Sequence, residues 1–144
     1  MCFYKTKQSK VLKAKRDIKV YKIGIYADND SFNPFYYDNF TYYVNQTVFE
    51  KVKFTDTINC GFHSYINCEL VSSYNNVNLY SCGELILWVS LPTVYLGEFI
   101  IPKGATYCLN RYGEVVSDKL IYTGNHIKIT SDKIYNSKEL WKEK

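Results

Sequence analysis

The stretch Asp17-Ile18-Lys19-Val20-Tyr21-Lys22-Ile23 alternates polar and apolar residues with a period of two. Because successive side chains of a strand point to opposite faces of a sheet, this pattern predicts a half-buried β-strand. Further strand-like runs occupy residues 35–44, 84–91, 93–101, 105–109, 114–122 and 126–130. Strand-forming segments therefore dominate the chain, and we expect them to pair mostly in antiparallel sheets.

Two segments favour a helix instead. Asn67 is a suitable N-cap, Glu69 suits the first helical turn, and the apolar residues up to Tyr74 fall on one helical face. This pattern predicts a short helix over residues 67–74, and we expect one or two helical turns in the tail, residues 131–144. The predicted fold class is therefore α+β, with strand-rich, mostly antiparallel sheets and one or two short helices.

The length and composition predict one globular domain. The chain has 144 residues, of which 47% are hydrophobic and 22% are charged. Its first sixteen residues carry six basic side chains and no acidic one. We predict a basic N-terminal arm over residues 1–16, a single strand-rich domain over 17–130 and a C-terminal tail over 131–144. The arm either contacts phosphates or an acidic partner, or is a solvated lead-in to the first strand.

Charge, hydropathy and cysteine usage limit the class of protein. A net charge of +4 is too small to indicate nucleic acid as a partner. No apolar run approaches the roughly 20 residues of a membrane span, and none follows the basic arm as it would in a secretory signal. The five cysteines are odd in number and form no Cys-x-x-Cys pair, which argues against a disulfide framework or a zinc site. We expect a cytoplasmic protein with reduced thiols, no metal and no membrane attachment.

The most informative segments are Gly61-Phe62-His63-Ser64-Tyr65 and Tyr112-Gly113-Glu114-Val115-Val116. His63 and Ser64 are adjacent, so on a strand they point to opposite faces and make a poor hydrolytic pair. Structural interpretations of the same residues stay open. Gly61 would supply a positive φ or a bulge, His63 would be a structural histidine, and Glu114 would be a turn carboxylate.

The order of these pieces resembles the ADP-ribosyltransferase fold. In that family an early strand carries a Tyr-Arg or similar pair, matched here by Tyr21-Lys22. A Gly-Phe-x-Ser strand, a Pro-Lys-Gly strand end and a Glu before a Val-Leu-type pair follow, matched here at 61–64, 102–104 and 114–116. The resemblance covers residues 17–130. The Gly-Phe-His-Ser-aromatic and Ile-Pro-Lys-Gly segments also resemble those of phage and gut-bacterial proteins whose function is not characterised.

The ADP-ribosyltransferase resemblance implies that the chain binds NAD or a related nucleotide, and that it transfers or cleaves ADP-ribose. Glu114 would be the catalytic carboxylate, because a negative charge stabilises an oxocarbenium-like state. Ser64 would hydrogen-bond the ribose next to nicotinamide, and Tyr65 would stack on the nicotinamide ring. Lys22 would contact phosphate or ribose, and His63 is a further candidate for ligand binding.

The sequence departs from the family at several of these positions. Lys22 stands where the family often has Arg or His and lacks the bidentate fork of Arg. Tyr65-Ile66 replaces the Thr-Ser that follows the motif serine, and Tyr112 replaces the acidic residue or Gln that often orients the acceptor. The alternative is therefore a non-catalytic module on the same scaffold that binds a nucleotide or a host protein, for example a phage-encoded inhibitor of host defence. A nucleic-acid contact of the basic arm is a third, weaker hypothesis, and the oligomeric state stays open.

Overall fold

The computed structural model describes residues 3–4, 10–35, 40–55, 57–58, 60–66, 68–74, 77–82, 85–89, 94–110 and 112–129. Fifteen strands lie in these ranges: β1 (Phe3–Tyr4), β2 (Val11–Lys13), β3 (Ile18–Ala27), β4 (Ser31–Pro34), β5 (Tyr42–Tyr43), β6 (Thr47–Phe49), β7 (Thr57–Ile58), β8 (Phe62–Tyr65), β9 (Cys68–Tyr74), β10 (Val77–Cys82), β11 (Leu85–Val89), β12 (Val94–Ile101), β13 (Thr106–Leu109), β14 (Glu114–Ser117) and β15 (Lys119–Ile129).

The described residues contain no helix, so the predicted α+β fold class is wrong. The segment predicted as a helix over 67–74 is instead β9, which pairs antiparallel with β10 from Cys68 opposite Cys82 to Tyr74 opposite Val77. Val, Ser and Tyr are only moderate helix formers, and pairing with β10 satisfies the backbone groups of this segment across the hairpin. The helical turns predicted for 131–144 lie outside the described residues. The described ranges contain no helix that is long and apolar enough to cross a membrane.

The strands form one large sheet and two small ones. The large sheet has the order β2-β13-β14-β8-β3-β12-β15-β6, with β4 and β5 attached to β3, and its strand pairs are antiparallel. β9, β10 and β11 form a three-stranded sheet, and β1 pairs with β7. The prediction of a strand-rich, mostly antiparallel protein is therefore confirmed. Two described strands lie in the predicted N-terminal arm: β2 joins the large sheet by pairing with β13, and β1 pairs with β7 in a separate sheet.

Part of the large sheet closes on itself. β12 pairs with β3 on one side and with β15 on the other, and β3 also pairs with β4, which pairs with β5. After β5, the amide of Val44 donates to the carbonyl of Asp30 at 2.8 Å, and the amide of Asn45 donates to the carbonyl of Tyr122 at 2.9 Å. Tyr122 belongs to β15, so the hydrogen bonds run in a ring through β3, β12, β15, the end of β5, β4 and back to β3.

Aromatic side chains fill the interior of this ring, and Phe99 contacts each of the other three, Phe32, Tyr42 and Tyr122. The ring of Phe32 packs edge-on against Phe99 with 5.0 Å between centroids and lies 5.5 Å from Tyr122. Phe99 also packs against Tyr42 at 5.0 Å. These four residues, here called the aromatic core, are all buried. Edge-to-face contacts at such distances add to the stabilisation that comes from buried area.

Two glycines allow the strands to approach Phe32. A Cβ at Gly24 in β3 or at Gly97 in β12 would lie 2.5 Å from a Phe32 ring atom. The sequence around Phe32 is rich in Asp, Asn, Ser and Pro, and residues 28–34 read as a loop on that composition. The structure corrects this interpretation for Ser31–Pro34, which form β4, because burying Phe32 requires the segment to pair with β3.

We expect Gly97→Ala to lower the free energy of unfolding by about 1–3 kcal/mol, because the added methyl group overlaps the Phe32 ring. Chemical denaturation measures this loss. Gly104→Ala is the control: it has φ +91° but no atom within 4 Å of the added Cβ, so it reports backbone strain without overpacking. A loss at Gly97 that Phe32→Leu does not reduce in the double variant would contradict the packing explanation.

Candidate functional site

The pairing of β8 with its neighbours decides which predicted site residues share a face. β8 pairs with β14 so that Glu114 is opposite Tyr65 and Val115 is opposite Ser64. Residues that are directly opposite in a sheet present their side chains on the same face. Ser64 therefore lies on the face that carries Val115 and Phe99, here called the Phe99 face. Tyr65 and Glu114 lie on the other face, here called the Val116 face.

The five predicted site residues divide between these faces. Tyr21 of β3 is opposite Tyr65, so its neighbour Lys22 lies on the Phe99 face with Ser64. His63, Tyr65 and Glu114 lie on the Val116 face. The sheet thus separates Ser64 from Glu114 and does not bring the five side chains to one cleft. Ser64 itself is fully buried, and its Oγ has no hydrogen-bond partner.

Glu114 is a buried carboxyl group held by a local turn. Its Oε1 accepts a hydrogen bond from the Asn110 side-chain amide at 3.2 Å, and its backbone amide donates to Asn110 Oδ1 at 3.1 Å. Gly113, directly before Glu114, has φ 76°. Burial raises the pKa of Glu114, and the Asn110 hydrogen bond opposes that effect only in part. Its second oxygen, Oε2, is buried without a partner.

His63 is held neutral by its surroundings. Its Nε2 lies 3.1 Å from the carbonyl oxygen of Cys60, so the tautomer with hydrogen on Nε2 donates there. In that tautomer Nδ1 is an acceptor, and it is buried without a partner. Burial, together with the nearby charge of Lys22, lowers the pKa of His63 to about 4. The interpretation of His63 as a structural histidine agrees with its contact to Cys60.

A cavity of about 170 Å³ opens beside the start of β8. It is lined by Lys22, Phe40, Tyr42, Glu50, Cys60, Gly61, Phe62 and His63. Three aromatic rings form one wall, with 4.7 Å between the centroids of Phe40 and Tyr42 and 6.1 Å between those of Tyr42 and Phe62. An apolar wall with a few polar groups is the usual composition of a small-molecule site.

Lys22 provides the cationic group of this cavity. Its side chain is only 6% exposed, its Nζ donates a hydrogen bond to the carbonyl oxygen of His63, and the same atom lies 5.6 Å from the centroid of the Tyr42 ring. Both contacts hold the ammonium at the cavity wall, and the ring face attracts its charge. Burial lowers the pKa of Lys22 to about 8, although the sulfur of Cys68 opposes that effect.

The register of β3 explains why a lysine is buried there. Ile18, Val20 and Lys22 share a face, and the first two belong to the main hydrophobic cluster. Lys22 thus occupies a position where the alternation calls for an apolar residue. The alternation of this stretch therefore breaks at Lys22, and Lys22 and His63 are the two predicted site residues that line the cavity.

Gly61 shapes the entrance to β8. It has φ 81°, and a Cβ there would lie 2.7 Å from Val52 Cγ2 and 3.0 Å from the carbonyl oxygen of Ser117. The interpretation of Gly61 as a positive-φ residue is therefore confirmed. Sequence reasoning missed Phe40, Tyr42 and Glu50 as site residues, since they precede the motif and reach the cavity only through the tertiary fold.

Neither a metal site nor a relative guides the functional assignment further. Within the described ranges, no group of three or more His, Cys, Asp or Glu side chains could hold a metal ion. Comparison with family models, with curated proteins and with solved structures gave no match. The assignment therefore depends on the chemistry of the cavity.

The buried ammonium of Lys22 predicts a specific dependence of stability on pH. The pKa of Lys22 is about 8 in the folded chain, whereas a lysine exposed to solvent has a pKa of 10.5, so between these pH values the unfolded chain binds more protons and stability rises with pH. From about pH 7 to about pH 9.5, the wild type should gain about 2 kcal/mol relative to Lys22→Met. Urea denaturation measures the difference, with Lys19→Met, an exposed position of the same strand, as control. Parallel pH profiles for wild type and Lys22→Met would contradict a buried charge.

His63 predicts a loss of stability at acidic pH. Its pKa is about 4 in the folded chain, below the 6.5 of a histidine exposed to solvent. Stability is therefore lost as pH falls through this window, where only the unfolded chain binds the proton. His63→Gln removes this titration while keeping an amide that can donate to Cys60, so it should lose less stability than the wild type from about pH 6.5 to about pH 4. Thermal unfolding across this range measures the effect. An equal loss in both proteins would show that His63 is not held neutral.

Proposed function

We propose that this chain is a non-catalytic binding module whose cavity receives one flat ring of a nucleotide-type ligand, such as a nucleobase or the nicotinamide ring of NAD. The observation that carries the proposal is the ammonium of Lys22, which is buried at the wall of an aromatic-lined cavity. Burying a charge is costly, and a position that alternates with Ile18 and Val20 would otherwise hold an apolar side chain. A ligand with an acceptor atom gives that charge a partner.

The size of the cavity supports a single ring. A volume of about 170 Å³ is close to the roughly 150 Å³ of an engineered protein cavity that binds benzene. One six-membered ring with its substituents therefore fits, whereas a whole dinucleotide does not. Phe40, Tyr42 and Phe62 offer ring faces and edges for stacking, and Lys22 would donate to a carbonyl or carboxylate oxygen on the ring.

Charged residues at and next to the mouth of the cavity favour a nucleotide over a free base as the ligand. Glu50 is exposed and lines the cavity, where its carboxylate would accept a hydrogen bond from an exocyclic amino group. Lys51 and Lys53 are exposed and follow Glu50 directly in the chain. Their ammonium groups would pair with the phosphates of a nucleotide. In such a complex the ring of the ligand would lie inside the cavity and its phosphates would lie outside, in solvent.

Transfer of ADP-ribose is the competing function. It would need Ser64 and Glu114 to reach the same ribose, yet the register of β8 and β14 directs their side chains to opposite faces. Burial raises the pKa of Glu114, which disfavours the carboxylate that an oxocarbenium-like state requires. These two observations favour binding without transfer.

We expect saturable binding of at least one of NAD, nicotinamide mononucleotide, AMP and UMP, measured by calorimetry or by NMR shifts of the aromatic residues. Lys22→Met should weaken this binding at least about tenfold, because a hydrogen bond from a charged donor is lost. Lys19→Met, on the same strand but outside the cavity, should bind as the wild type does. Absence of saturable binding for all four ligands, or equal affinity in Lys22→Met, would refute the proposal.

Incubation with NAD separates binding from transfer. We expect no release of nicotinamide above the background at high protein concentration, measured by chromatography, because the register of β8 and β14 places Glu114 and Ser64 on opposite faces of the sheet. Glu114→Gln should bind the ligand unchanged, since Glu114 is not among the residues that line the cavity. Release by the wild type that disappears in Glu114→Gln would favour the transferase instead.

A further inference from the structure

We propose that Lys22 is also a chemically reactive amine, which forms a reversible imine with a small aromatic aldehyde that enters the cavity. This inference uses the same cavity as the proposed function and adds a covalent step to it. A non-covalent ring ligand only needs Lys22 as a hydrogen-bond donor. Imine formation needs the lone pair of the Lys22 nitrogen as well. The position of Nζ at the cavity wall allows either role.

The placement of Nζ carries the inference. Both groups that contact this atom, the His63 carbonyl and the Tyr42 ring, belong to residues that line the cavity. The amine therefore lies at the cavity wall and not behind it. One N–H is committed to the His63 oxygen, which fixes the nitrogen in place and leaves its lone pair, when it is neutral, pointing away from that oxygen.

The surroundings of Lys22 favour the neutral amine that such a reaction requires. A lysine desolvated in an apolar pocket is a recognised way to activate this nucleophile. The pKa of Lys22 is about 8, whereas that of an ordinary lysine is 10.5. The neutral fraction of Lys22 near pH 7 therefore exceeds that of an ordinary lysine by about a hundredfold or more. Tyr42 and Phe62 would stack on the aromatic ring of the aldehyde and hold its carbonyl carbon near Nζ.

The reaction balances without an oxidant or a metal. The Nζ lone pair adds to the carbonyl carbon and gives a carbinolamine, in which one proton moves from nitrogen to oxygen. Loss of the hydroxyl group with the second nitrogen proton then releases one water and leaves a C=N double bond. Hydrolysis reverses both steps, so the bond is reversible until a hydride reagent reduces it.

Reductive labelling of the intact wild-type chain tests this inference. Benzaldehyde is the probe because its ring matches the cavity, and sodium cyanoborohydride traps the imine as a stable secondary amine. Peptide mass mapping then compares the labelling rate of Lys22 with that of Lys128, an exposed lysine of β15. We expect Lys22 to react at least about tenfold faster than Lys128 at pH 7. This ratio should fall as pH rises above about 8, because ordinary lysines then also gain neutral amine. In denaturant the two rates should become equal.

The controls separate this inference from the proposed function. Benzoate has the same ring but cannot form an imine, so it should protect Lys22 and leave Lys128 unaffected. Labelling of Lys22 no faster than Lys128 in the folded chain would overturn the imine, even if nucleotide binding is found. Fast labelling of Lys22 without any nucleotide binding would support the reactive amine and refute the proposed function alone.

Discussion

The packing of Phe32 against the backbones of β3 and β12 is the contact on which the rest of the structure depends. Gly24 and Gly97 leave no side chain between these strands and the ring, so Phe32 fills the interior where any Cβ would overlap it. With Phe32 in place, β4 pairs with β3, and β5 follows on β4. The hydrogen bonds of Val44 and Asn45 then connect this edge to β15 and close the ring.

The same aromatic core positions the candidate site. Tyr42 packs against Phe99 on one side and lies beneath the ammonium of Lys22 on the other. It also forms part of the cavity wall with Phe40 and Phe62. A change in the core would therefore move the wall of the cavity.

The large sheet buries several polar groups that do not contribute to its stability. Lys22 and His63 are kept from their ordinary protonation behaviour by burial, and Ser64 and Glu114 each bury an oxygen without a hydrogen-bond partner. Such groups reduce stability, so their presence in a core favours a role beyond folding. Both faces of the sheet carry such groups: Lys22 and Ser64 lie on the Phe99 face, while His63 and Glu114 lie on the Val116 face.

The sequence by itself determined that strands dominate and that they pair mostly antiparallel, because period-two alternation and turn residues are local properties. For Gly61 it left a positive φ or a bulge open, and the structure decided for the positive φ. It did not determine β9, where a short segment suits either structure and only the partner strand β10 decides. Nor did it identify Phe32 as a core residue, since its polar neighbours resemble a loop. Lys22 was predicted as a site residue from the resemblance to ADP-ribosyltransferases, but its partners Phe40, Tyr42 and Glu50 were not predicted. Only the tertiary structure decided that Ser64 and Glu114 lie on opposite faces, because the register between β8 and β14 is fixed by long-range pairing and a shift of one residue would reverse it.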